Sequence, residues 1–176
     1  MASSKFPIMH WSVRTIEAAS GKTGILGSLL IVPLVLSTCY EVFARYLFNA
    51  PTIWAYEVGY MLTGSHFLLG LAFTLRAGDH IRIDIFSGRF SPRTRALIDL
   101  AGYTVLMPML VWLTLALSRY FWTGYLSSEK SGQSAFNMPV WPFRLVFVTA
   151  FFLLTLQVIA EMIKLGRVLR DRSAPD

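Results

Sequence analysis

The chain reads as an all-α integral membrane protein of four transmembrane helices, with both termini on the cytoplasmic side. Two observations predict this. The stretches Thr23 to Tyr40, Val58 to Leu75, Leu100 to Ser118 and Leu145 to Ala160 carry no charge, and each approaches the ~20 residues that a helix needs to cross ~30 Å of hydrocarbon. Lipid offers the backbone no hydrogen-bond partner, and these runs lack the apolar and polar alternation of barrel strands, so helices are the expected spanning form. The second observation is where the basic residues fall. Lys5, Arg14 and Lys22 precede the first span; Arg76, Arg82, Arg89, Arg93 and Arg95 lie between the second and third; Lys164, Arg167, Arg170 and Arg172 follow the fourth. The other two connections hold only Arg45, Arg119, Lys130 and Arg144. Basic loops stay in the cytoplasm, which sets the orientation.

The whole of 1–176 is expected to form a single membrane domain, with spans at about 24–48, 53–76, 96–122 and 140–162 and a cytoplasmic tail over 163–176. The net charge of +6 belongs with lipid headgroups rather than nucleic acid, because the basic residues flank spans and form no other basic motif.

Residues 1–22 are unlike a cleaved signal peptide, since the apolar run behind them is longer than an h-region of ~7 to 15 residues and no small-residue cleavage site follows. Ile8, Trp11, Thr15 and Ala19 fall at helical spacing, with Lys5, Arg14 and Glu17 elsewhere. This pattern suggests a short amphipathic helix lying in the cytoplasmic interface. The one cysteine, Cys39, falls inside the first span. It permits no intrachain disulfide and reads as a small apolar core residue.

The first span ends in Asn49, Ala50 and Pro51, because proline disfavours helical geometry in the residue before it. Glu41 and Arg45, four apart on one face, suit an ion pair at the helix end or a contact with a partner subunit. A tight turn follows, with Pro51 or Thr52 starting the second span and Trp54 and Tyr56 at headgroup level. Within that span Gly59, Thr63, His66 and Gly70 line one stripe, along which another helix, of this chain or of another, could approach closely. His66 is the one histidine in mid-membrane and reads as a neutral packing residue. A proton relay would need buried carboxylates, and Glu41 and Glu57 lie near the membrane edge.

Between spans two and three, Ile81, Ile83 and Ile85 fit a helix or a strand among the charges of Arg76, Asp79, Arg82 and Asp84. Ser91 and Pro92 read as the N-cap and first residue of a long third helix, which Pro108 should kink or deprive of a backbone hydrogen bond. Residues 126–140 form a polar connection, and Pro139, Trp141, Pro142 and Arg144 begin the fourth span.

Chemistry for catalysis is not evident. His66 and His80 are spaced like stacked haem ligands, but each haem would want a second axial ligand, and the remaining histidine is His10 at the N-terminus. The sequence contains no nucleophile elbow with a histidine partner, no zinc-protease helix, no P-loop and no dinucleotide fingerprint. A non-enzymatic subunit with no cofactor is the expectation. A self-contained homo-oligomeric transporter, or a membrane anchor for another complex, are the alternatives; the first lacks a mid-membrane carboxylate for ion coupling.

Glu41, Arg45, Tyr46, Phe48, Asn49, Pro51, Trp54 and Glu57, followed after the second span by Gly78, His80, Ile81, Arg82, Ile83 and Asp84, form two blocks. Their pattern resembles the small membrane subunit (Q subunit, DctQ-like) of tripartite ATP-independent periplasmic (TRAP) transporters. Many members carry a second acidic residue beside the position of Glu57; here Tyr56 stands there. The resemblance implies a bacterial or archaeal inner-membrane machine in which a periplasmic substrate-binding protein captures an organic anion such as a carboxylate. A large multi-span membrane subunit (the M subunit) then carries it inward on a sodium gradient. This chain would widen the stationary scaffold of that subunit and hold no substrate or sodium site. By motif, Arg45, Asn49, Pro51, Trp54 and Glu57 would organise the periplasmic hairpin, and His80, Arg82 and Asp84 the cytoplasmic connection. The periplasmic connections, including Ser127 to Met138, are candidates for touching the binding protein. The hydrophilic end at Asp176 suggests a chain not fused to its partner.

Overall fold

The computed structural model describes residues 7–77 and 91–170. His80, Arg82 and Asp84, and with them the expected cytoplasmic connection, lie outside the described residues. Among the described residues five helices follow in order: α1 (Pro7–Leu29), α2 (Ile31–Phe48), α3 (Ala55–Ala77), α4 (Pro92–Leu126) and α5 (Trp141–Arg170). They supply four stretches long and apolar enough to cross a membrane, the first being Val13–Phe48, which joins α1 to α2. The chain is therefore all-α, with a multi-pass architecture.

α1 and α2 are one bent rod. Pro33 has no N–H to offer the carbonyl of Leu29, four residues back, and the ladder is interrupted at Leu30. There the chain keeps helical dihedrals but bonds Leu30 N–H to the Gly27 carbonyl, three residues back, at 3.2 Å. The segment before the first span thus continues into it. α1 also docks on the bundle, against α3 and α5.

α4 opens on Ser91, whose Oγ accepts the N–H of Thr94 at 3.3 Å, the N-cap bond expected of that residue. The helix runs on through Pro108 to Leu126. At ~1.5 Å per residue its 35 residues reach over ~50 Å, so it crosses the hydrocarbon tilted or projects beyond it.

The helices pack as a row, α1 and α2 on α3, α3 on α5, α5 on α4. Leu75 of α3, Leu110 of α4, and Leu154 and Val158 of α5 form the buried core, with Leu71, Tyr103, Met107 and Phe151 around it. Thr114 and Thr155, 3.3 Å apart, tie α4 to α5 above that core. Most of the apolar surface remains outside. Only 6% of the apolar window in Arg93–Leu126 is buried, and 11% of that in Val13–Phe48. Cys39 is exposed on α2 rather than in a core, because the neighbours of α2 reach only its other face, where Ser37 and Ala44 are buried.

Candidate functional site: the distal end of the bundle

The end opposite Pro7 and Arg170 carries the α2–α3 turn and the α4–α5 connection, and here Glu41, Arg45, Asn49, Pro51, Trp54 and Glu57 lie. Asn49 closes α2 in the left-handed region (φ 48°, ψ 31°), and the Ala50 N–H returns to the Ala44 carbonyl at 3.0 Å, an arrangement that satisfies the last carbonyls of a helix. Glu41 joins the helix to the turn. One carboxylate oxygen accepts from Arg45 Nε at 2.9 Å and also from its Nη2; the other accepts the Thr52 N–H at 2.9 Å and the Thr52 hydroxyl. Thr52 therefore ties back to α2, and α3 begins at Ala55, later than Pro51 or Thr52. Trp54 stacks on Tyr40 with ring centroids 5.8 Å apart.

Glu57 is fully buried, and its partners come from residues over seventy positions away. One oxygen accepts the hydroxyls of Ser131 and Ser134, each at 2.6 Å; the other accepts the Met138 N–H at 2.7 Å. A buried carboxylate is tolerated where donors replace its water, and these three fold the 127–140 loop over the start of α3. The Ser134 hydroxyl also donates to the Ile53 carbonyl at 2.9 Å, so the two connections are tied to each other. Inside the loop, Ser131 N–H donates to the Met138 carbonyl at 2.9 Å and Gly132 N–H to Asn137 Oδ1 at 3.0 Å. The turn takes its shape from Gly132 and Asn137, with φ 61° and 54°.

A second buried charge holds the other side of the loop. Arg144, on the first turn of α5, donates to Glu129 Oε1 at 2.5 Å and to the Tyr120 hydroxyl at 2.8 Å, with its guanidinium 3.6 Å from the Tyr120 ring centre. It passes directly over Gly124, where a Cβ would stand 1.9 Å from Nη1.

The stripe on α3 divides. At its lower part Gly27 of α1 comes so close that an added Cβ would lie 3.1 Å from Leu69 Cβ and 3.3 Å from the His66 carbonyl. His66 Nδ1 is 3.0 Å from the Gly27 carbonyl at the α1–α2 break. Because a carbonyl can only accept, Nδ1 carries the proton. The approaching helix there belongs to this chain. Around Gly59, by contrast, nothing among the described residues lies within 4 Å of an added Cβ, and the same holds at Gly70, although Gly27 approaches its backbone nitrogen. Thr63 donates to the Gly59 carbonyl at 2.8 Å and so turns its hydroxyl inward to its own helix.

Sequence reasoning missed the close approaches at Gly24 on Phe73, Gly64 on Phe143 and Gly124 on Arg144. It also missed a polar cluster toward the termini: the fully buried Ser20 donates to Gln157 at 3.0 Å, Gln157 donates to Glu161 at 3.0 Å, and Lys164 bridges Glu161 at 2.8 Å and Glu17 at 2.5 Å. Gln157 in an otherwise apolar run was the available signal. Among the described residues no three His, Cys, Asp or Glu side chains converge as a metal site would need.

The family model described as the DctQ component of tripartite ATP-independent periplasmic transporters matches residues 34–167. That range takes in most of α2, the distal end, α3, α4 and most of α5. No curated protein matches the chain.

Proposed function

The chain belongs to the DctQ component family of tripartite ATP-independent periplasmic transporters, and on that premise we propose that it is the non-catalytic small permease subunit, pairing with the large membrane subunit and extending its scaffold. The observation that carries this reading is the row of helices with so little of α1, α2 and α4 covered. A raft of this kind suits a part that broadens another membrane protein, because its flanks are free to meet neighbouring helices. The distal end suits the periplasmic side, in line with the distribution of Lys and Arg, and would place the chain in a bacterial or archaeal inner membrane. There the loop seated on Glu57 presents a fixed surface that a soluble binding protein could touch. Sodium coupling and uptake of an organic anion such as a carboxylate follow from the proposed partner, not from a site in this chain.

The test is to extract the tagged chain gently from its native membrane and identify what accompanies it. A large multi-span protein in one-to-one ratio is the expected result; recovery alone or as a homo-oligomer overturns the pairing. Arg45→Ala and Asp84→Ala are expected to weaken assembly or uptake while leaving substrate choice unchanged. Altered substrate preference with normal assembly counts against the scaffold role.

A further inference from the structure

The uncharged run that starts in α1 begins just after Lys22, and that of α3 ends just before Arg76. Each of these cations is thus the first charge met beyond the apolar stretch of its helix. The fold brings them to one level. Gly24 lies under the Phe73 ring, and a Cβ on Gly21 would collide with Nη1 of Arg76, so the Arg76 guanidinium rests on the α1 backbone at the residue before Lys22. Both side chains are exposed, and neither makes a hydrogen bond or ion pair among the described residues.

The local charge balance is positive. Arg14, seven residues before Gly21 and so on the same face of α1, is a third exposed cation. The carboxylates of this corner, Glu17 and Glu161, share Lys164. Four cations, Arg14, Lys22, Arg76 and Lys164, therefore stand against two carboxylates, a surplus of +2. Widening the count does not cancel it: setting aside the four cations and three glutamates of the distal end, the whole sequence holds twelve Lys and Arg against seven Asp and Glu.

On the membrane side of the cations the surface turns apolar. Leu26 and Leu29, four and seven residues on from Lys22 and so on its face of the helix, are 55% and 59% exposed, and Ile25 and Phe73 are exposed as well. Unpaired cations at the edge of an apolar helix surface suit an amphiphile with a negatively charged head, which the membrane itself supplies.

We propose that the seam of α1 and α3 at this end is a binding site for one anionic glycerophospholipid of the leaflet nearer Pro7, its phosphodiester between Lys22 and Arg76 and an acyl chain along Leu26 and Leu29. A free inorganic anion would leave the apolar strip bare, and a zwitterionic lipid would leave the surplus charge unmatched. The proposal stands on the membrane architecture and does not depend on which subunit the chain joins.

The experiment is native mass spectrometry of the full-length chain, with whatever copurifies, exchanged into mixed micelles holding equal phosphatidylglycerol and phosphatidylethanolamine. Retention of phosphatidylglycerol in preference to phosphatidylethanolamine is the expected result. Lys22→Gln or Arg76→Gln, each at an exposed position, should lower that retention about fivefold, and the two together about 25-fold. Lys130→Gln, which removes an exposed cation at the distal end, should leave it unchanged. Circular dichroism on each variant reports whether the helices are intact. Equal retention of the two lipids by the native sequence, unchanged retention in the double variant, or an equal loss in Lys130→Gln overturns the proposal. A photocrosslinker, p-benzoylphenylalanine, in place of Ile25 in the native membrane tests the occupant: capture of phosphatidylglycerol beyond its share of the membrane lipid supports the site, and capture at that share, or of a partner protein, overturns it.

Discussion

The Glu57 carboxylate accepts the Met138 N–H at 2.7 Å across 81 positions of sequence, so the start of α3 and the last residues before α5 are fixed to one another. With the two serine hydroxyls, this makes one side chain the seat of an entire connection.

Replacing Glu57 by Ala should therefore free the loop. Three partly buried donors would lose their acceptor, and hydrogen bonds to a charged group are worth about 1.5 to 3 kcal/mol each. Rapid protease cleavage within 127–140 and a fall in stability of roughly 3 kcal/mol or more are expected in detergent. Glu57→Gln, which keeps one accepting oxygen, should fall between. A loop equally resistant in all three proteins would show that its seat lies elsewhere.

Gly124→Val should be as damaging as loss of Arg144. The added atoms would occupy the guanidinium's position, breaking its bonds to Glu129 and Tyr120 and stranding a buried charge, a change that typically costs about 3 to 5 kcal/mol. Thermal unfolding of Gly124→Val, Arg144→Met and the double variant checks this: because both act on the same contact, their effects should be far from additive.

The glycines separate contacts inside the chain from surface left to others. Gly24→Val is expected to push α1 from α3, because a Cβ there would meet the Phe73 ring at 2.6 Å. Its unfolding should shift by roughly 1 to 3 kcal/mol. Gly59→Leu meets only open space among the described residues, so stability of the isolated chain should change by less than about 1 kcal/mol, in the direction of helix propensity. If that face meets the large subunit, Gly59→Leu should instead lower copurification, measured as the ratio of the two proteins after extraction.

Lys164 sits between Glu17 and Glu161. Lys164→Met should destabilise the contact between α1 and α5, and a double-mutant cycle with Glu17→Gln should return a coupling of about 0.5 to 1 kcal/mol, as expected of a partly exposed pair. A coupling of zero would leave the polar tie between α1 and α5 to Ser20 and Gln157.

What could be read beforehand follows from how far each interaction reaches along the chain. The four spans are visible as uncharged runs because the bilayer dictates their length. Glu41 and Arg45 are visible as a pair because one helical turn separates them. The seat of Glu57 and the bond from Ser20 to Gln157 were not visible: their partners lie 74 to 137 positions away, and which serine or glutamine turns inward depends on how each helix is rotated. The same rotation explains the glycines. The stripe of Gly59, Thr63, His66 and Gly70 is real as a helical face, but Gly64, half a turn or so away, is the one against which α5 places Phe143. Spacing defines a face; only the neighbours decide what meets it.

The interruption at Leu30 divides a rod of two spans' worth of residues into two levers with a joint between them. The joint is held from the side, because His66 of α3 bonds the Gly27 carbonyl just before the break. A force drawn along α1 is therefore handed sideways into α3 before it reaches α2, which leaves the distal half of the rod able to keep its angle while the half nearer the termini is pulled.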